Sequence, residues 1–458
     1  MFNKDIYIAR RAKLKKAVGK GLLLFWGNDY CGMNFADNQY HFRQDSTFLY
    51  FFGLPFEGLN AIIDIDNDKE IIFGDELTID AIVWMGTQPT LKEKSEATGL
   101  KDVRPSKDIK TYLDTAMAKK QTIHYLPTYR AEHQIKLLQW LNIPIGAEQP
   151  SEPFIYGVVN QRNHKGKEEI AEIEKACCVT ADMHIAAMRK VRPGIQESEV
   201  VAAVEEIAAR HNYQLSFPTI GTVNGQTLHN HDHSHTLKSG QMFLLDAGAE
   251  TEMGYAGDMS STIPVDKKFT SRQRDIYDLQ VASHEAAVAM LKPGVNFVDV
   301  YEESCRVVCA GFKDLGFMKG DPMDAVKAGA HALFYPTGLG HLMGLDVHDM
   351  ESLGEERVGY NGQTKSKQFG RKSLRLGRPL EEGFTLTIEP GIYFVPELID
   401  LWRGQHKFTD FINYDKVETY KDFSGLRNEE NYLITKEGSH LLGKKIPLHA
   451  EEVEALHE

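Results

Sequence analysis

A chain of 458 residues is long enough to form two domains, each with a buried core of its own. Its composition, 42% hydrophobic and 26% charged residues, is typical of a soluble globular protein, and its formal net charge is −13. That acidic balance argues against nonspecific binding to nucleic acid or to an anionic membrane surface, so we expect neither as a partner.

The N-terminal stretch and the cysteines bear on the cellular compartment. Residues 1–18 contain no continuous apolar core followed by a small-residue cleavage site, so they do not predict a signal peptide. No apolar run is long enough to span a bilayer. The five cysteines are an odd number and include the neighbours Cys177 and Cys178. This pattern fits reduced thiols better than a disulfide framework and predicts a cytoplasmic protein.

The first third of the chain alternates helical patterns with short apolar runs. After an amphipathic helix that ends near Val18, the apolar runs are GLLLFWG, STFLYFFGL, NAIIDID, KEIIF, AIVWMG and TIHYL. This alternation predicts an α/β domain over residues 1–155, with a last helix from about Tyr129 to Leu141. The stretch from Ile143 to Pro153 contains several Pro and Gly residues and is the predicted linker.

From Glu168 onward the pattern changes to long helices, and a weak internal repeat is present. One copy has Val191-Arg192-Pro193-Gly194 between two helices and then strands. The other has Leu291-Lys292-Pro293-Gly294 between two helices and then a further strand-like region. Residues 156–458 therefore look like two copies of one α+β unit. A site where the two copies meet would draw ligands from both.

Four stretches of this second region place ionisable residues within apolar, strand-like frames. These residues are Asp246, Asp258, His341, Glu389 and Glu429. A buried carboxylate without a partner is costly or takes a proton, so a metal or a basic group must accompany the acids. An oxygen-rich set with one imidazole suits a pair of hard or borderline divalent ions better than a lone zinc. Such two-metal sites hold a bridging water or hydroxide and perform hydrolytic chemistry.

These four stretches resemble the pita-bread metallopeptidases, most closely the proline-specific members, prolidase and aminopeptidase P. The resemblance includes Tyr40–Ser46 in the N-terminal domain and covers nearly the whole chain. It implies an α/β N-terminal domain of the aminopeptidase P/creatinase type and an α+β pita-bread catalytic domain with an internal pseudo-twofold repeat. It also implies that the five residues above ligate two divalent ions, expected to be Mn²⁺. Glu429 is assigned rather than Glu430 because the family has Arg-x-Glu before its last strand.

The same resemblance implies three catalytic residues. His348, in the stretch that also carries His341, would polarise or hold the scissile carbonyl. Glu389 would both ligate metal and share in proton transfer from the bridging water. His229 matches a histidine that contacts the substrate.

His229 belongs to a run in which histidines alternate with other residues, the others being His231, His233 and His235. On an extended strand all four would lie on one face, which leaves a separate metal site open as an alternative. The other interpretation is that the remaining three are solvated loop residues.

Five positions match substrate-binding positions of the family: Arg375, Arg427, Tyr393, Trp84 and Arg162. In prolidase an arginine matching Arg375 binds the free carboxylate of a dipeptide. The alternative is that Arg375 is solvated, as residues of basic loops usually are. Arg427 and Glu429 share a strand face, so the arginine can brace a metal-bridging carboxylate; the alternative is an exposed salt pair of little value. Trp84 matches an aromatic that approaches the pocket, sometimes from a neighbouring subunit, or else is ordinary core or interface.

Two features depart from the family pattern. Thr337 stands where relatives commonly carry a histidine, and a threonine can hydrogen-bond but cannot shuttle a proton near neutral pH. The connection between Asp246 and Asp258 is longer than in typical relatives. A bulge or a longer turn would absorb the difference and keep both carboxylates on one side.

These observations predict a dinuclear-metal hydrolase that releases the N-terminal residue from Xaa-Pro peptides or dipeptides through a metal-bridging hydroxide. The substrate is a peptide with proline at the second position, whose bond lacks an N–H, and relatives imply a homo-oligomer. Arg375 and the long segment Phe394–Phe423 favour dipeptides, whereas the N-terminal match favours an aminopeptidase. The alternatives are a metal-free pita-bread binding module and a non-peptidase hydrolase on the same fold. Retention of all five ligand positions argues against both.

Overall fold

The computed structural model describes residues 1–457. They form two compact units: Met1–Arg162 with Met350–Gly354, and Asn163–Asp349 with the chain from Glu355 onward. The domain boundary predicted after residue 155 lies within a helix, Glu152–Arg162, all of which belongs to the first unit.

The first unit is built on a five-stranded sheet and a small hairpin. Its strands are β1 Leu22–Trp26, β2 Gly32–Phe35, β3 Asn38–Gln39, β4 Asn60–Asp64, β5 Lys69–Phe73, β6 Asp102–Arg104 and β7 Ile123–His124. Its helices are α1 Lys4–Val18, α2 Ser46–Phe52, α3 Ile79–Met85, α4 Leu91–Glu96, α5 Asp108–Ala118, α6 Ala131–Leu141 and α7 Glu152–Arg162, with a 3₁₀ turn at Glu351–Leu353.

The sheet of the first unit has the order β6-β5-β4-β1-β7. The central strands pair antiparallel, β1 with β4 and β4 with β5, while β6 and β7 are added parallel. Every residue of β1 and β4 is buried, which explains their unbroken apolar runs. The α/β class predicted from the alternating pattern is therefore confirmed.

Two apolar runs of the first unit are helices rather than strands. STFLYFFGL forms α2, whose start is capped by the Asp45 side chain and whose end is the left-handed Gly53. AIVWMG lies largely in α3, capped by Thr78 and with none of its residues buried. A short apolar run alone does not distinguish a strand from a helix. Here the capping residues favour the helix in both runs.

The Asp64 carboxylate at the end of β4 predicts a pH-dependent stability for the first unit. It accepts hydrogen bonds from Asn67 Nδ2 at 2.8 Å, Tyr112 OH at 2.7 Å and Gln121 Nε2 at 2.8 Å. Burial raises the pKa of Asp64, but these hydrogen bonds lower it by more, so the pKa lies below its ordinary 3.8. Because the folded pKa is depressed, the stabilisation is complete above the unfolded pKa and is lost as pH falls through the folded pKa.

We therefore expect Asp64→Asn to lower the free energy of unfolding by about 1.5–3 kcal/mol at pH 7, the range for hydrogen bonds to a charged group. In urea titrations the difference from wild type should shrink as the pH falls below about 4, near the unfolded pKa. Asp66→Asn, at a neighbouring exposed position, serves as control. A difference that stays constant down to pH 2 would contradict a role for the ionised carboxylate.

The second unit contains long helices around short strands. Its helices are α8 Lys167–Lys190, α9 Glu197–Arg210, α10 Ser271–Ala289, α11 Phe297–Asp314, α12 Pro322–Ala328, α13 Glu355–Val358, α14 Pro396–Gly404, α15 Tyr414–Glu418 and α16 Ala450–Glu454. Its strands are β8 Gln214–Leu215, β9 Ile220–Thr222, β10 Met242–Ala247, β11 Ala249–Glu250, β12 Met259–Pro264, β13 Thr385–Ile388, β14 Gly391–Tyr393, β15 Gly425–Arg427, β16 Glu430–Ile434 and β17 Ser439–Leu441. Two 3₁₀ turns lie at Ala330–Leu333 and Arg371–Ser373.

Corresponding hydrogen bonds mark the two copies of the repeat. In the first copy Gly194 N donates to Leu237 O at 2.9 Å, and Leu237 N donates to Ile195 O at 2.8 Å. In the second copy Gly294 N donates to Leu380 O at 2.8 Å, and Leu380 N donates to Val295 O at 2.8 Å. Both glycines have the left-handed backbone that favours this residue. The predicted internal repeat is thus present in the backbone.

The repeat also relates two of the predicted ligands. The chain advances by the same number of residues from Leu237 to Asp246 as from Leu380 to Glu389. Asp246 lies in β10 and Glu389 directly follows β13. Each copy therefore delivers a carboxylate from its equivalent strand, while His341 comes from a loop of the second copy.

Within residues 1–457 the structure has no helix of the length and apolarity that crossing a bilayer requires. All five cysteines are free, and Cys177, Cys305 and Cys309 are buried. The thiols therefore have the unpaired state that their spacing predicts.

Candidate active site

Two antiparallel strands bring the first two acids together. In the β10–β12 pair, Asp246 is opposite Ser260, and Asp258 lies immediately before β12. The connection between them folds back on itself, with Gly257 N donating to Ala249 O at 2.9 Å. A Cβ on Gly248 would lie 1.9 Å from Gly257 O, so this close approach requires glycine. The long connection is thus absorbed in a tight turn that leaves both carboxylates in one pocket.

The second copy of the repeat supplies the other three predicted ligands. Glu389 follows β13, and its backbone N–H donates to Leu339 O at 2.8 Å. His341 is tied to β13 through Thr387, whose hydroxyl accepts from His341 N at 3.1 Å. Glu429 lies between β15 and β16, and its N–H donates to Ser260 O at 2.9 Å. That last bond joins the two copies directly at the ligand positions.

The five predicted ligands all line one pocket. His341 Nε2 lies 3.4 Å from Asp258 Oδ2 and 3.6 Å from Glu389 Oε1. Asp258, His341 and Glu429 each offer a ligand atom, and these atoms lie within 4.8 Å of one another. Three segments distant in sequence therefore converge with the spacing of a metal site.

The unpaired oxygens of the cluster indicate whether these residues can bind a metal ion. Among the described residues, Asp246 Oδ1, Asp258 Oδ1 and Glu429 Oε1 are buried and have no hydrogen-bond partner. Unsatisfied buried oxygens are rare and costly, and carboxylate oxygens are the ligands that hard divalent cations prefer. The donor set therefore fits a divalent metal.

The electrostatics of the cluster agree with that fit. Burial raises the pKa of Asp258 and Glu389, and it raises the pKa of Glu429 well above its ordinary value. Burial lowers the pKa of His341, but the neighbouring Asp258 and Glu389 carboxylates raise it by more. A cation would reverse the shifts of the acids by stabilising their charged forms.

Glu430 points away from the cluster. Its Oε2 accepts from Tyr432 OH at 2.8 Å and lies 3.4 Å from His284 Nε2. Successive residues of an extended chain face opposite sides, so only one of Glu429 and Glu430 can reach the pocket. The structure places Glu429 there.

Arg427 is a buried cation beside the acids. Its Nη2 donates to Asp246 Oδ2 at 2.5 Å, its Nε to Ser260 Oγ at 2.8 Å and its Nη1 to Tyr393 OH at 2.7 Å. It is only 5% exposed, so the alternative of an exposed salt pair with Glu429 is wrong. Ser260 Oγ in turn donates to Glu429 Oε2 at 2.8 Å. Arg427 thus orients Asp246 directly and Glu429 through Ser260.

A cavity of about 250 Å³ opens beside the acids. Its apolar wall consists of Phe217, Pro218, Ile220, Leu228 and Val347. Its polar wall includes His229, His231, Thr337 and His348, and the buried Thr337 hydroxyl has no hydrogen-bond partner within residues 1–457. The pocket is of a size and polarity suited to a small apolar ring next to a polar bond.

His348 packs edge-on against His341, with ring centroids 4.3 Å apart and an interplanar angle of 75°. Burial, together with the charges of His341, Arg375 and His229, lowers the pKa of His348 to about 2. A neutral imidazole can donate one hydrogen bond and accept another. The geometry thus gives His348 the means to hold a polar group in the pocket.

The alternating histidines do not share one face. They lie in an irregular loop, where His233 Nδ1 is 3.1 Å from Gly221 O and His235 Nδ1 is 3.0 Å from Glu197 Oε2. His229 and His231 line the pocket. The metal-holding group found among the described residues includes none of the four. The alternative of a separate metal site on a strand face is not supported, because the segment is a loop rather than a strand.

The remaining predicted substrate contacts lie in different surroundings. Tyr393 is fully buried behind Arg427 and does not belong to the pocket wall. Arg375 does not line the pocket; its Nη1 donates to Glu355 Oε1 at 2.7 Å, and its charge is among those that lower the pKa of His348. In the first unit Trp84 is 86% exposed, which rules out the core alternative, and buried Arg162 donates to Thr47 Oγ1 at 3.0 Å.

One buried side chain that the sequence did not reveal links two ligand segments. Gln280 of α10 donates from Nε2 to Pro390 O at 2.6 Å, and its Oε1 accepts from Asn428 Nδ2 at 2.6 Å. Pro390 follows Glu389, and Asn428 precedes Glu429. A polar residue on the apolar face of a predicted helix is the signal that could have found it.

Comparison with known proteins places this geometry in a family. Residues 171–436 match metallopeptidase family M24, and residues 7–124 match the N-terminal domain of aminopeptidase P. The chain belongs to metallopeptidase family M24, with the two-domain, pita-bread architecture that the sequence predicted.

Individual relatives cover almost the whole chain. An Xaa-Pro aminopeptidase of Escherichia coli K12 is 30% identical over 437 residues, 92% of this chain and 90% of that protein. A human Xaa-Pro dipeptidase is 27% identical over 460 residues, 98% of this chain and 91% of that protein. The structure of aminopeptidase P from E. coli, in a low-pH form, superposes with a TM-score of 0.82 at 27% identity and covers 100% of this chain and 98% of its own.

Proposed function

We propose that this protein is a metal-dependent exopeptidase that releases the N-terminal residue from peptides with proline in second place. The observation that carries the proposal is the buried cluster of acids and His341 beside a small apolar pocket, in an M24 chain. Relatives named for Xaa-Pro cleavage support the choice of substrate.

Two divalent ions, with Mn²⁺ as the expected metal, are part of the proposal. The ligands would be Asp246, Asp258, His341, Glu389 and Glu429. Four carboxylates and one imidazole together supply more oxygen and nitrogen donors than one six-coordinate ion needs, and such donors suit manganese better than thiolates do. When bound, such a pair of ions activates a water molecule and polarises the scissile carbonyl.

The chain's own residues bind and orient the reacting groups. Arg427 holds the carboxylate of Asp246 in place. His348 donates a hydrogen bond to the scissile carbonyl oxygen and so stabilises the charge that develops on it. Glu389, whose side chain is 21% exposed, takes a proton from the attacking water and gives it to the departing proline nitrogen.

The pocket wall accounts for the preference for proline. An Xaa-Pro bond is a tertiary amide without an N–H, so the site needs no acceptor at that atom. The apolar residues Phe217, Ile220 and Leu228 offer a surface on which the pyrrolidine ring is desolvated. A substrate with a secondary amide at this bond would bury an unpaired N–H there.

The direct test is hydrolysis by the Mn²⁺-loaded protein of Ala-Pro and Ala-Pro-Ala, with Ala-Ala-Ala as the comparison substrate and Asp258→Asn as the inactive control. Cleavage of the proline peptides alone supports the proposal. If the protein binds metal but cleaves neither proline peptide, the peptidase function is wrong.

A dipeptidase activity is a second candidate, because the guanidinium of Arg375 is among the charges that lower the pKa of His348 in the pocket. If Arg375 binds the free carboxylate of a dipeptide, Arg375→Ala should raise KM for Ala-Pro about 10- to 100-fold, the loss of one charged hydrogen bond, and change kcat/KM for longer peptides little. Lys372→Ala, from the same basic loop, is the matched control. Equal losses for both substrates would assign Arg375 to the structure of the loop.

We include self-association and a cytoplasmic location in the proposal. The exposed apolar side chains of α3, Ile79 at 75%, Val83 at 73% and Trp84 at 86%, are suited to a protein contact. Five unpaired cysteines suit a reducing compartment. Sedimentation of the wild type and of Trp84→Ser measures the first point, and a monomeric wild type would contradict it.

A further inference from the structure

A buried ion pair lies at the end of the loop that carries His341 and His348. Lys165 Nζ lies 2.8 Å from Asp349 Oδ2, and the two side chains are 1% and 0% exposed. Removing two charges from water costs about as much as their attraction returns, so a buried ion pair is weak evidence of added stability. Its position in the fold is therefore the informative feature.

Asp349 closes the loop that begins at His341. The backbone N–H of Asp349 donates to Leu342 O at 2.9 Å. His341 Nδ1 lies 3.0 Å from the same carbonyl oxygen, so this nitrogen carries the ring proton and donates it. In the neutral ring this tautomer has no proton on His341 Nε2, the nitrogen on the side of Asp258. One carbonyl thus couples the position of Asp349 to the orientation of a predicted metal ligand.

The interior of the loop is tied to the same carboxylate. Asp346 N donates to Asp349 Oδ1 at 3.4 Å, and Gly344 N donates to Asp346 O at 3.0 Å. Gly344 O accepts from Ala256 N at 2.9 Å, in the segment that leads to Asp258. His348 directly precedes Asp349, so movement of the carboxylate would also move the second histidine.

Lys165 is itself fixed to the strand that delivers another ligand. Its backbone N–H donates to Gly383 O at 2.9 Å, just before β13 and Glu389. A Cβ on Gly344 would lie 2.8 Å from both Asp349 Oδ2 and Lys165 Cε. The ion pair and the loop backbone are therefore in contact, and glycine is needed for that contact.

We propose that Lys165 and Asp349 are positioning residues, whose buried ion pair sets the orientation of His341 and His348 in the pocket. The catalytic consequence rests on the proposed function, but the effect on the metal ligand does not. A merely structural ion pair would affect unfolding and leave ligand geometry unchanged. By contrast, mutation of residues that do not touch the metal but orient its ligands typically alters metal affinity 10- to 100-fold.

Gly344→Ala is the sharpest variant because it displaces the pair and removes no charge. A second variant, Lys165→Met/Asp349→Leu, replaces both charges by apolar side chains, a change that buried ion pairs often tolerate in folding. Lys167→Met, an exposed neighbour at the start of α8, is the matched control. Circular dichroism establishes that each variant is folded.

The readouts are the visible absorption spectrum of bound Co²⁺, which reports ligand geometry, and Mn²⁺ affinity by calorimetry. We expect both variants to change the Co²⁺ spectrum and to lower Mn²⁺ affinity about 10- to 100-fold, while Lys167→Met matches wild type. For the proline peptides kcat should fall more than KM rises. If folded variants keep the wild-type spectrum and affinity, the positioning role is overturned.

The outcomes separate this inference from the proposed function. A wild-type protein that binds Co²⁺ without cleaving proline peptides would contradict the peptidase, and the spectra of the variants would still decide the positioning role. Should Gly344→Ala fail to fold, the double variant decides alone. Wild-type metal affinity in the folded double variant would overturn the proposal.

Discussion

Glu429→Gln is expected to abolish tight metal binding and to lower kcat/KM for Ala-Pro about a thousandfold or more. The substitution keeps the shape of the side chain and its acceptor for Ser260 Oγ, but it removes the charge that a cation needs beside Asp258 and His341. A divalent ion contributes several kcal/mol of transition-state stabilisation, and about 1.4 kcal/mol corresponds to a factor of ten in rate.

Glu430→Gln is the matched control for that experiment. The two glutamates are adjacent in sequence and both buried, but Glu430 bonds Tyr432 and lies on the opposite side of the chain. A glutamine can still accept the Tyr432 hydrogen bond, so we expect metal content by atomic absorption to stay near the wild-type value. Loss of metal from Glu430→Gln together with retention in Glu429→Gln would reverse the ligand assignment.

The architecture was predictable because short sequence patterns indicate its strands, turns and internal repeat. The Pro-Gly turns at Gly194 and Gly294 mark equivalent points of the two copies, and the left-handed backbone at both positions explains why glycine recurs. The unbroken apolar runs of β1 and β4 predict buried strands. The runs in α2 and α3 were ambiguous, since their helical state depends on the capping residues Asp45 and Thr78.

The acids that meet in the pocket were predictable for a related reason. An acid such as Asp246 at the end of an apolar strand has few uses other than metal binding or ion pairing. The partners that orient these acids could not be predicted in the same way. Ser260 faces Arg427 and Glu429 only through strand register, and Lys165 meets Asp349 across 184 residues of chain. Such contacts follow from tertiary packing, which short sequence patterns do not encode.

Arg427→Met is expected to lower the free energy of unfolding of the metal-free protein by about 3–5 kcal/mol, the usual cost of removing one member of a buried ion pair. The guanidinium is the cation that neutralises Asp246, and its three hydrogen bonds also hold Ser260 and Tyr393. Without it, Asp246 Oδ2 loses its partner in addition to the unpaired Oδ1. Urea unfolding in the presence of a chelator measures the loss.

Arg403→Met provides the comparison, because Arg403 also contacts two carboxylates, Asp415 at 3.2 Å and Glu418 at 2.9 Å, but its side chain is 44% exposed. Exposed pairs of this kind contribute about 0–1 kcal/mol. Adding Mn²⁺ should recover part of the stability lost in Arg427→Met, since the ions replace the missing positive charge. It should recover none of the stability lost in Arg403→Met. Equal small losses in the two variants would mean that the acids of the pocket are already protonated in the metal-free protein. Arg427 would then act as a hydrogen-bond donor rather than as a counter-charge.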